Sequence, residues 1–299
     1  MTRVDPRNEN ILVYVNGELK PRAEARVSVF DSVVQGGDAV WEGLRVYRGR
    51  IAAFAGHLQR LQNSAKTLAF ASVPSSDDVR NAVFETLKAN DMRDEAHIRL
   101  TLTRGEKITS GMNPRLNQSG CSLIVLAEWK PPVYSDEGIK VITASTRRNT
   151  PSCLDSKIHH NNLLNNILAS IEANVAGVDS AIMLDLNGFV SETNDTNLFM
   201  VRKGTVYTPY ADACLPGLTR QMILDICGEN DIPAVEQNLS LTELYTADEV
   251  FTSGTQGELT PILEADGRVI GDGAAGRMTL RLQGLHREVA YRDGEEIPF

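Results

Sequence analysis

Lys157 stands in the segment Asp155-Ser156-Lys157-Ile158-His159-His160-Asn161-Asn162, ahead of a helical pattern that is Asn-rich on one side and apolar on the other. An amine desolvated against such a helix is a nucleophile toward a carbonyl carbon, whereas a solvated surface lysine is not. Both readings fit the segment taken alone. The pair His159-His160 lacks a third ligand at a zinc-like spacing, so no metal site is expected. Glu192 precedes the polar run Thr193-Asn194-Asp195-Thr196-Asn197 and the apolar Leu198-Phe199-Met200-Val201. A carboxylate there can pair with a protonated ring nitrogen, or it is a turn residue.

Leu215-Pro216-Gly217-Leu218-Thr219-Arg220 opens a helical pattern through Met222, Ile223 and Ile226. Unpaired N–H groups and the positive dipole end of such a helix seat a phosphate, and Thr219 adds a hydroxyl. Ser253-Gly254-Thr255-Gln256-Gly257 follows a strand pattern, and its glycines permit a backbone nest for an anion. Arg60 lies beside Leu58 and Leu61 on a helix. An ordinary helix start, an ordinary turn and a surface arginine account for each of these separately. Together they can serve one phosphate. Gly271-Asp272-Gly273-Ala274-Ala275-Gly276 matches G-x-G-x-x-G, but a dinucleotide site also needs a following strand with an acid. Only a helical pattern lies between this run and Phe299, so a glycine-rich turn is expected.

The elements that must carry these residues fall into two groups. Ile11 to Val15 leads into Asn16-Gly17, a hairpin signal. Leu44–Tyr47 and Ile51–Phe54 flank Arg48-Gly49-Arg50 as a second hairpin. From His57 the apolar period becomes helical through Leu58, Leu61, Ala65 and Leu68, then again through Val79, Val83 and Leu87. Strands are expected over 97–103 and 122–127, before a linker at Glu128-Trp129-Lys130-Pro131-Pro132. Beyond it come a strand at 139–144, a helix lined by Leu163, Leu164, Ile167, Leu168 and Ile171, and hairpins about Asn187-Gly188 and Lys203-Gly204. A helix at 219–227, the capping box Ser240–Glu243, a strand at 250–252 and a helix through Met278, Leu282, Leu285 and Val289 complete the pattern. The expectation is an α+β chain: a small domain over 1–127, a linker over 128–137 and a larger domain over 138–299.

Composition narrows the function classes. With 30 Lys and Arg against 39 Asp and Glu over 299 residues, the net charge of −9 argues against a nucleic-acid duplex or an anionic membrane as partner. Apolar runs are far shorter than a membrane span requires, as in Ile124-Val125-Leu126-Ala127. No secretory h-region follows Met1. The four cysteines form no C-x-x-C pair. A soluble cytoplasmic protein is expected.

Six segments, in order, resemble the class IV (fold type IV) pyridoxal-phosphate aminotransferases, and among them most closely the branched-chain members. They are Trp41-Glu42-Gly43-Leu44-Arg45, His57-Leu58-Gln59-Arg60-Leu61, Ser156-Lys157, Ser191-Glu192 through Asn197-Leu198-Phe199, the Leu215–Arg220 run and Asp248-Glu249-Val250-Phe251-Thr252-Ser253-Gly254-Thr255. The likeness covers about residues 11 to 290. It implies a small N-terminal α/β domain and a larger C-terminal domain with a β-barrel-like core, in a homodimer or higher homo-oligomer. It also implies that pyridoxal 5′-phosphate is carried by Lys157 as a Schiff base, with Glu192 on the pyridine nitrogen making the ring an electron sink. Arg60, Thr219, Thr255 and the N–H of Leu218 would clamp the phosphate, in a cofactor site that also takes in Thr193, Asn194, Leu215, Gly217 and Gly254. Trp41, with Val46, would wall the substrate, Arg45 and Arg99 would supply a cation, and Gln256 would line the pocket.

The activity implied is transamination between an amino acid, with branched-chain L-amino acids favoured, and a 2-oxo acid such as 2-oxoglutarate. The alternatives are a D-amino-acid or (R)-amine transaminase, a lyase of the aminodeoxychorismate type, and a non-catalytic protein that keeps the fold. The chain departs from the branched-chain pattern in three places and from the D-amino-acid pattern in one. Asn162 stands where a Tyr is usual five residues after the lysine, and Val34 where D-amino-acid members supply one. His97-Ile98-Arg99 replaces Tyr-x-Arg, and Asp195 replaces a frequent glycine.

Overall fold

The computed structural model describes residues 5–299. These form two compact units. The first comprises the chain up to Pro131, Ile158–Asn162 and Ala290–Phe299, and the second comprises Pro132–Lys157 and Leu163–Val289. The chain passes from one to the other inside the expected linker. A continuous domain over 138–299 was expected, however, and two pieces of that range belong to the first unit. The reason is pairing: the tail adds a strand to the first sheet, and Val40 bridges to His160.

In the first unit run β1 (Leu12–Val15), β2 (Glu18–Pro21), α1 (Ser32–Gly36), β3 (Ala39–Tyr47), β4 (Arg50–Ile51), α2 (Phe54–Thr67), α3 (Ser76–Ala89), β5 (Ala96–Thr103) and β6 (Ser122–Trp129). With β16 (Glu295–Glu296) they make one antiparallel sheet in the order β16-β4-β3-β5-β6-β1-β2. The period of two sorts its faces. Val40, Leu44, Val46, Ile98, Leu100 and Leu102 turn toward α2 and α3 and form the core with Leu58, Leu61, Val79 and Val83. Trp41, Gly43 and Arg45 alternate onto the other face, level with Thr101, Arg99 and His97. Val46 is fully buried in the core. The expectation that it walls a pocket beside Trp41 is therefore corrected: an odd separation along a strand puts the two on opposite faces. The second hairpin is also shorter than expected, because Ala53 takes φ +49° and Phe54 already opens α2.

The second unit contains β7 (Ile139–Thr143), α4 (Leu164–Ala176), β8 (Ser180–Leu184), β9 (Val190–Thr193), β10 (Asn197–Arg202), β11 (Thr205–Thr208) and α5 (Leu218–Glu229). It continues through β12 (Ala234–Glu236), α6 (Leu241–Tyr245), β13 (Glu249–Gly254), β14 (Glu258–Ala265), β15 (Arg268–Val269) and most of α7 (Arg277–Asp293). The sheet order is β12-β11-β10-β13-β14-β7-β8-β9, with β15 on β14. β9 is thus an edge, while β10 lies near the opposite edge. Yet residues 194–196 alone join them, and Thr193 N–H donates to Thr196 O at 2.8 Å. So short a connection closes only if the sheet rolls over on itself. The roll encloses Val141, Ile182, Leu198, Met200, Val250 and Ile262. α5 and α7 cover the layer of Phe199, Val201 and Phe251.

α4 turns out opposite to expectation. Its buried face is Ala169 and Ala173, which pack with Ala181 and Met183 of β8. Leu164, Ile167, Leu168, Ile171 and Val175 are 66, 49, 52, 50 and 84% exposed. An apolar stripe does not say what it faces, and small residues let the helix lie close to the sheet. β14 has no counterpart among the expected strands, and it is interior to the sheet although it carries Pro261, which has no N–H to donate. The glycine-rich run at 271–276 is a turn: Gly276 comes so close to Glu249 that a Cβ would lie 2.0 Å from Cδ. The Glu249 carboxylate accepts from the N–H groups of Met278 and Thr279 at 2.9 and 2.8 Å. That helix start already has its anion. Among the described residues no helix is long and apolar enough to cross a membrane.

Candidate active site

Glu192 lies on β9 with its side chain buried, because the residues about it alternate into the rolled sheet. Oε1 accepts from Arg148 Nε at 2.6 Å, and Oε2 accepts from Asn197 Nδ2 at 3.2 Å. Arg148 is buried as well and donates through Nη1 to Asn165 Oδ1 at 2.9 Å and Asn166 Oδ1 at 3.2 Å. The Asn-rich side of α4 is therefore what holds this arginine. Burial raises the Glu192 carboxyl above the usual range, and the charge and hydrogen bond of Arg148 oppose that rise.

Loop 212–215 gathers the rest. Lys157 Nζ donates to Asp212 O at 3.0 Å, Ser191 Oγ to Ala213 O at 3.0 Å, and Asn197 Nδ2 to Leu215 O at 2.9 Å. Of the two readings left open for Lys157, the desolvated one is not what is observed: its side chain is 42% exposed and Nζ lies 3.4 Å from Asp155 Oδ1. The apolar stripe of α4 points outward.

The loop ends at Gly217, the N-cap of α5, with no side-chain capping bond. A Cβ on Gly217 would fall 2.0 Å from Asn197 Oδ1, so only glycine lets the helix start reach Asn197. Asn197 pairs in register with Ser253, which brings the end of β13 alongside. Ser253 Oγ and Thr252 Oγ1 are buried with no hydrogen-bond partner among the described residues. Thr219 is buried, while Gly254, Thr255 and Gln256 are half-buried. The structure thus brings together Lys157, Glu192, Leu215, Gly217, Leu218 and Thr219, with β13 leading into Gly254, Thr255 and Gln256 beside them. Thr193 and Asn194 are committed to the turn. Thr193 Oγ1 bonds with Thr196, and Asn194 Oδ1 accepts from Ser180 Oγ at 2.7 Å and Ala181 N at 2.9 Å.

The remaining candidates belong to the first unit. Arg60 donates to both oxygens of the buried Glu42, from Nε at 2.8 Å and from Nη2 at 2.6 Å. His57 Nδ1 lies 2.7 Å and His159 Nδ1 3.2 Å from the same carboxylate. Burial opposes ionisation of Glu42, but His159 and Arg60 outweigh it and hold the carboxyl well below the usual range. Arg99 stacks its guanidinium 3.4 Å from the centre of the Trp41 ring and donates to Asn161 Oδ1 at 2.6 Å. Arg45 donates to Lys130 O at 3.2 Å. His97, in register with Arg45, is pushed down to about 3 by burial and by Lys130, Arg45 and Arg99, so its ring is neutral.

Residues 39–265 match the model of the family described as Amino-transferase class IV. The chain belongs to that family. Among class IV aminotransferases and related proteins, it is 57% identical over 294 residues to branched-chain-amino-acid aminotransferase-like protein 2 of Arabidopsis thaliana, covering 98% of this chain and 53% of that protein. The chain therefore spans about half the length of that relative. It is 33% identical to the branched-chain-amino-acid aminotransferase of Escherichia coli K12, covering 91% of this chain and 90% of the other. Among solved structures, the branched-chain amino acid aminotransferase from Thermobaculum terrenum in its PLP-form superposes with a TM-score of 0.86 at 27% identity, covering 95% of each chain. The α+β, type IV fold expected from the class IV motifs is the one observed. Arg148 and the carbonyls of 212–215 had no sequence signal. Asn197 stood inside a class IV motif without an assigned role.

Proposed function

We propose that this chain is a pyridoxal-phosphate-dependent aminotransferase that favours branched-chain L-amino acids as donors and 2-oxoglutarate as acceptor. One observation carries the reading: loop 212–215 ties an amine, Lys157, and a buried carboxylate, Glu192, to an uncapped helix start. The site fits the cofactor. A start of α5 without a side-chain cap, the unpartnered hydroxyl of Ser253 beside Asn197, and a Gly217 whose Cβ would clash form a cradle for an anion.

When bound, pyridoxal phosphate supplies an aldehyde for amine exchange and a ring that accepts electrons from the substrate carbon. Lys157 Nζ would be the amine that holds the cofactor and would carry the proton at that atom. Its partners are the Asp212 carbonyl at 3.0 Å and Asp155 at 3.4 Å, and the side chain is partly exposed. Glu192 holds a proton on the pyridine nitrogen, and Arg148 keeps the carboxylate in place. Leu218 N–H, Thr219, Thr255 and Gly254 take the phosphate, and Arg60 keeps the phosphate role implied by the resemblance. Trp41, Arg45, Arg99 and Gln256 keep the substrate roles.

A second copy of the chain completes the assembly in this reading, supported by the exposed apolar face of α4. A cytoplasmic location belongs to the same reading, and the four cysteines are free. His97 in place of a tyrosine favours one other reading, a D-amino-acid or (R)-amine transaminase.

The test is a visible spectrum of purified protein, then half-reactions with L-leucine, L-glutamate, D-alanine and (R)-1-phenylethylamine. A cofactor band that L-leucine discharges fastest, and that Lys157→Ala lacks, is expected. Faster discharge by D-alanine or the (R)-amine overturns the donor, and full turnover by Lys157→Ala overturns the chemistry.

A further inference from the structure

Segment 132–137 is fastened to the β13–β14 turn and its neighbour at three points. Val133 N–H donates to Gln256 O at 3.0 Å. Tyr134 Oη donates to the Asp195 carboxylate, 2.9 Å from Oδ1 and 2.7 Å from Oδ2. Arg287 bridges Asp136 at 2.8 Å and Glu258 at 2.9 Å. The Tyr134 ring also packs on the turn itself, since a Cβ on Gly257 would lie 3.3 Å from Tyr134 Cδ2. Glu258, which leaves the turn, has φ +51°, a conformation that costs a side-chain-bearing residue energy and needs outside support. Between Val133's partner and Glu258 there is only Gly257, so the whole turn after Thr255 is gripped from one side.

Asp195 stands in the loop after Glu192, where the branched-chain members that the sequence resembles often have glycine. A glycine there offers the Tyr134 hydroxyl no acceptor. Asp195 is fixed in turn by Thr193, whose Oγ1 donates to Oδ1 at 3.2 Å, and Thr196 of the same turn touches Gly254. Among the described residues, the phenol–carboxylate contact is therefore the one side-chain hydrogen bond between the strap and the 193–196 turn, added to the strap's grip on 254–258.

We infer that Tyr134 and Asp195 are positioning residues: their contact clasps segment 132–137 onto residues 254–258 and thereby sets the turn that bears Thr255 and Gln256. The consequence for the cofactor rests on the proposed function. Neither residue touches the phosphate, yet loosening the clasp lets the Thr255 turn open and weakens phosphate retention.

Hydrogen exchange of the full chain, with and without pyridoxal phosphate, tests the clasp over peptides covering 132–137 and 254–258, alongside a cofactor titration. Tyr134→Phe keeps the ring on Gly257 and removes the donor. It is expected to speed exchange in both peptides and to raise the cofactor Kd about fivefold, the scale of one lost hydrogen bond. Turnover at saturating cofactor should stay unchanged. Asp195→Asn retains an acceptor and should stay within about twofold of the parent, while Asp195→Ala matches Tyr134→Phe. The double variant Tyr134→Phe/Asp195→Ala should be no worse than either single, because one contact is lost in all three. Faster exchange confined to 132–137, or effects that multiply in the double variant, overturns the clasp. A parent protein that binds no pyridoxal phosphate overturns the proposed function instead, and the clasp is then decided by exchange without cofactor.

Discussion

Arg148 and Glu192 are 44 residues apart in sequence and meet at 2.6 Å, both buried. Burial pushes the Glu192 carboxyl up and the Arg148 guanidinium opposes that rise, which makes Arg148 as much a part of the candidate site as Glu192. Truncating one partner strands the other charge. Arg148→Ala is expected to cost about 3–5 kcal/mol of stability, read from urea unfolding. A loss below about 1 kcal/mol would show that Glu192 is already neutral in the fold.

Gly217 has φ −64°, which any residue adopts, so its requirement is steric alone. Gly217→Ala should push Asn197 off Glu192 and Leu215 O, costing about 1–3 kcal/mol and weakening cofactor binding. In an Asn197→Ala background the same substitution should cost little. Equal costs in both backgrounds would place the clash elsewhere.

His286 on α7 is buried, and Nδ1 has no partner among the described residues. Burial pushes its pKa from 6.5 down to about 4. Between those values the unfolded chain binds a proton that the folded chain does not. The unfolding free energy should therefore fall on acidification, by up to about 1.4 kcal/mol per pH unit for this group. His286→Gln should flatten the pH dependence of the urea midpoint across that window. An unchanged slope would mean that His286 protonates in place.

On α4, Leu168→Glu and Ile171→Glu put charges on a face that needs no core contact, both positions being about half exposed. Sedimentation should shift the chain to a smaller species with the thermal midpoint of the isolated protomer retained. A parent chain that sediments as a monomer, or variants that assemble normally, would remove α4 from the interface.

The chemical types of the site were legible in the sequence. Lys157, Glu192, Gly217 with Thr219, and Gly254 with Thr255 each sit in a local motif, and local motifs survive in any fold that keeps turns, caps and strand ends. The strand and helix periods were legible for the same reason, since burial of one face imposes a period of two or about four residues. What lay beyond local reach was partnership. Arg148 reaches Glu192 across the rolled sheet, Asn197 touches both Glu192 and the α5 start, and Tyr134 reaches Asp195 from 61 residues away.

The tertiary structure also decided facing. The sequence alone determined that α4 has an apolar stripe and that Val46 and Trp41 are near neighbours. Only the packed fold turned that stripe outward, because Ala169 and Ala173 let the helix sit closer to β8 than leucines would. It also sent Val46 into the core while Trp41 took the Arg99 guanidinium on its ring. A pattern fixes which residues share a face. Which face meets the sheet, and which charge meets which, follows from volume and distance in the assembled chain.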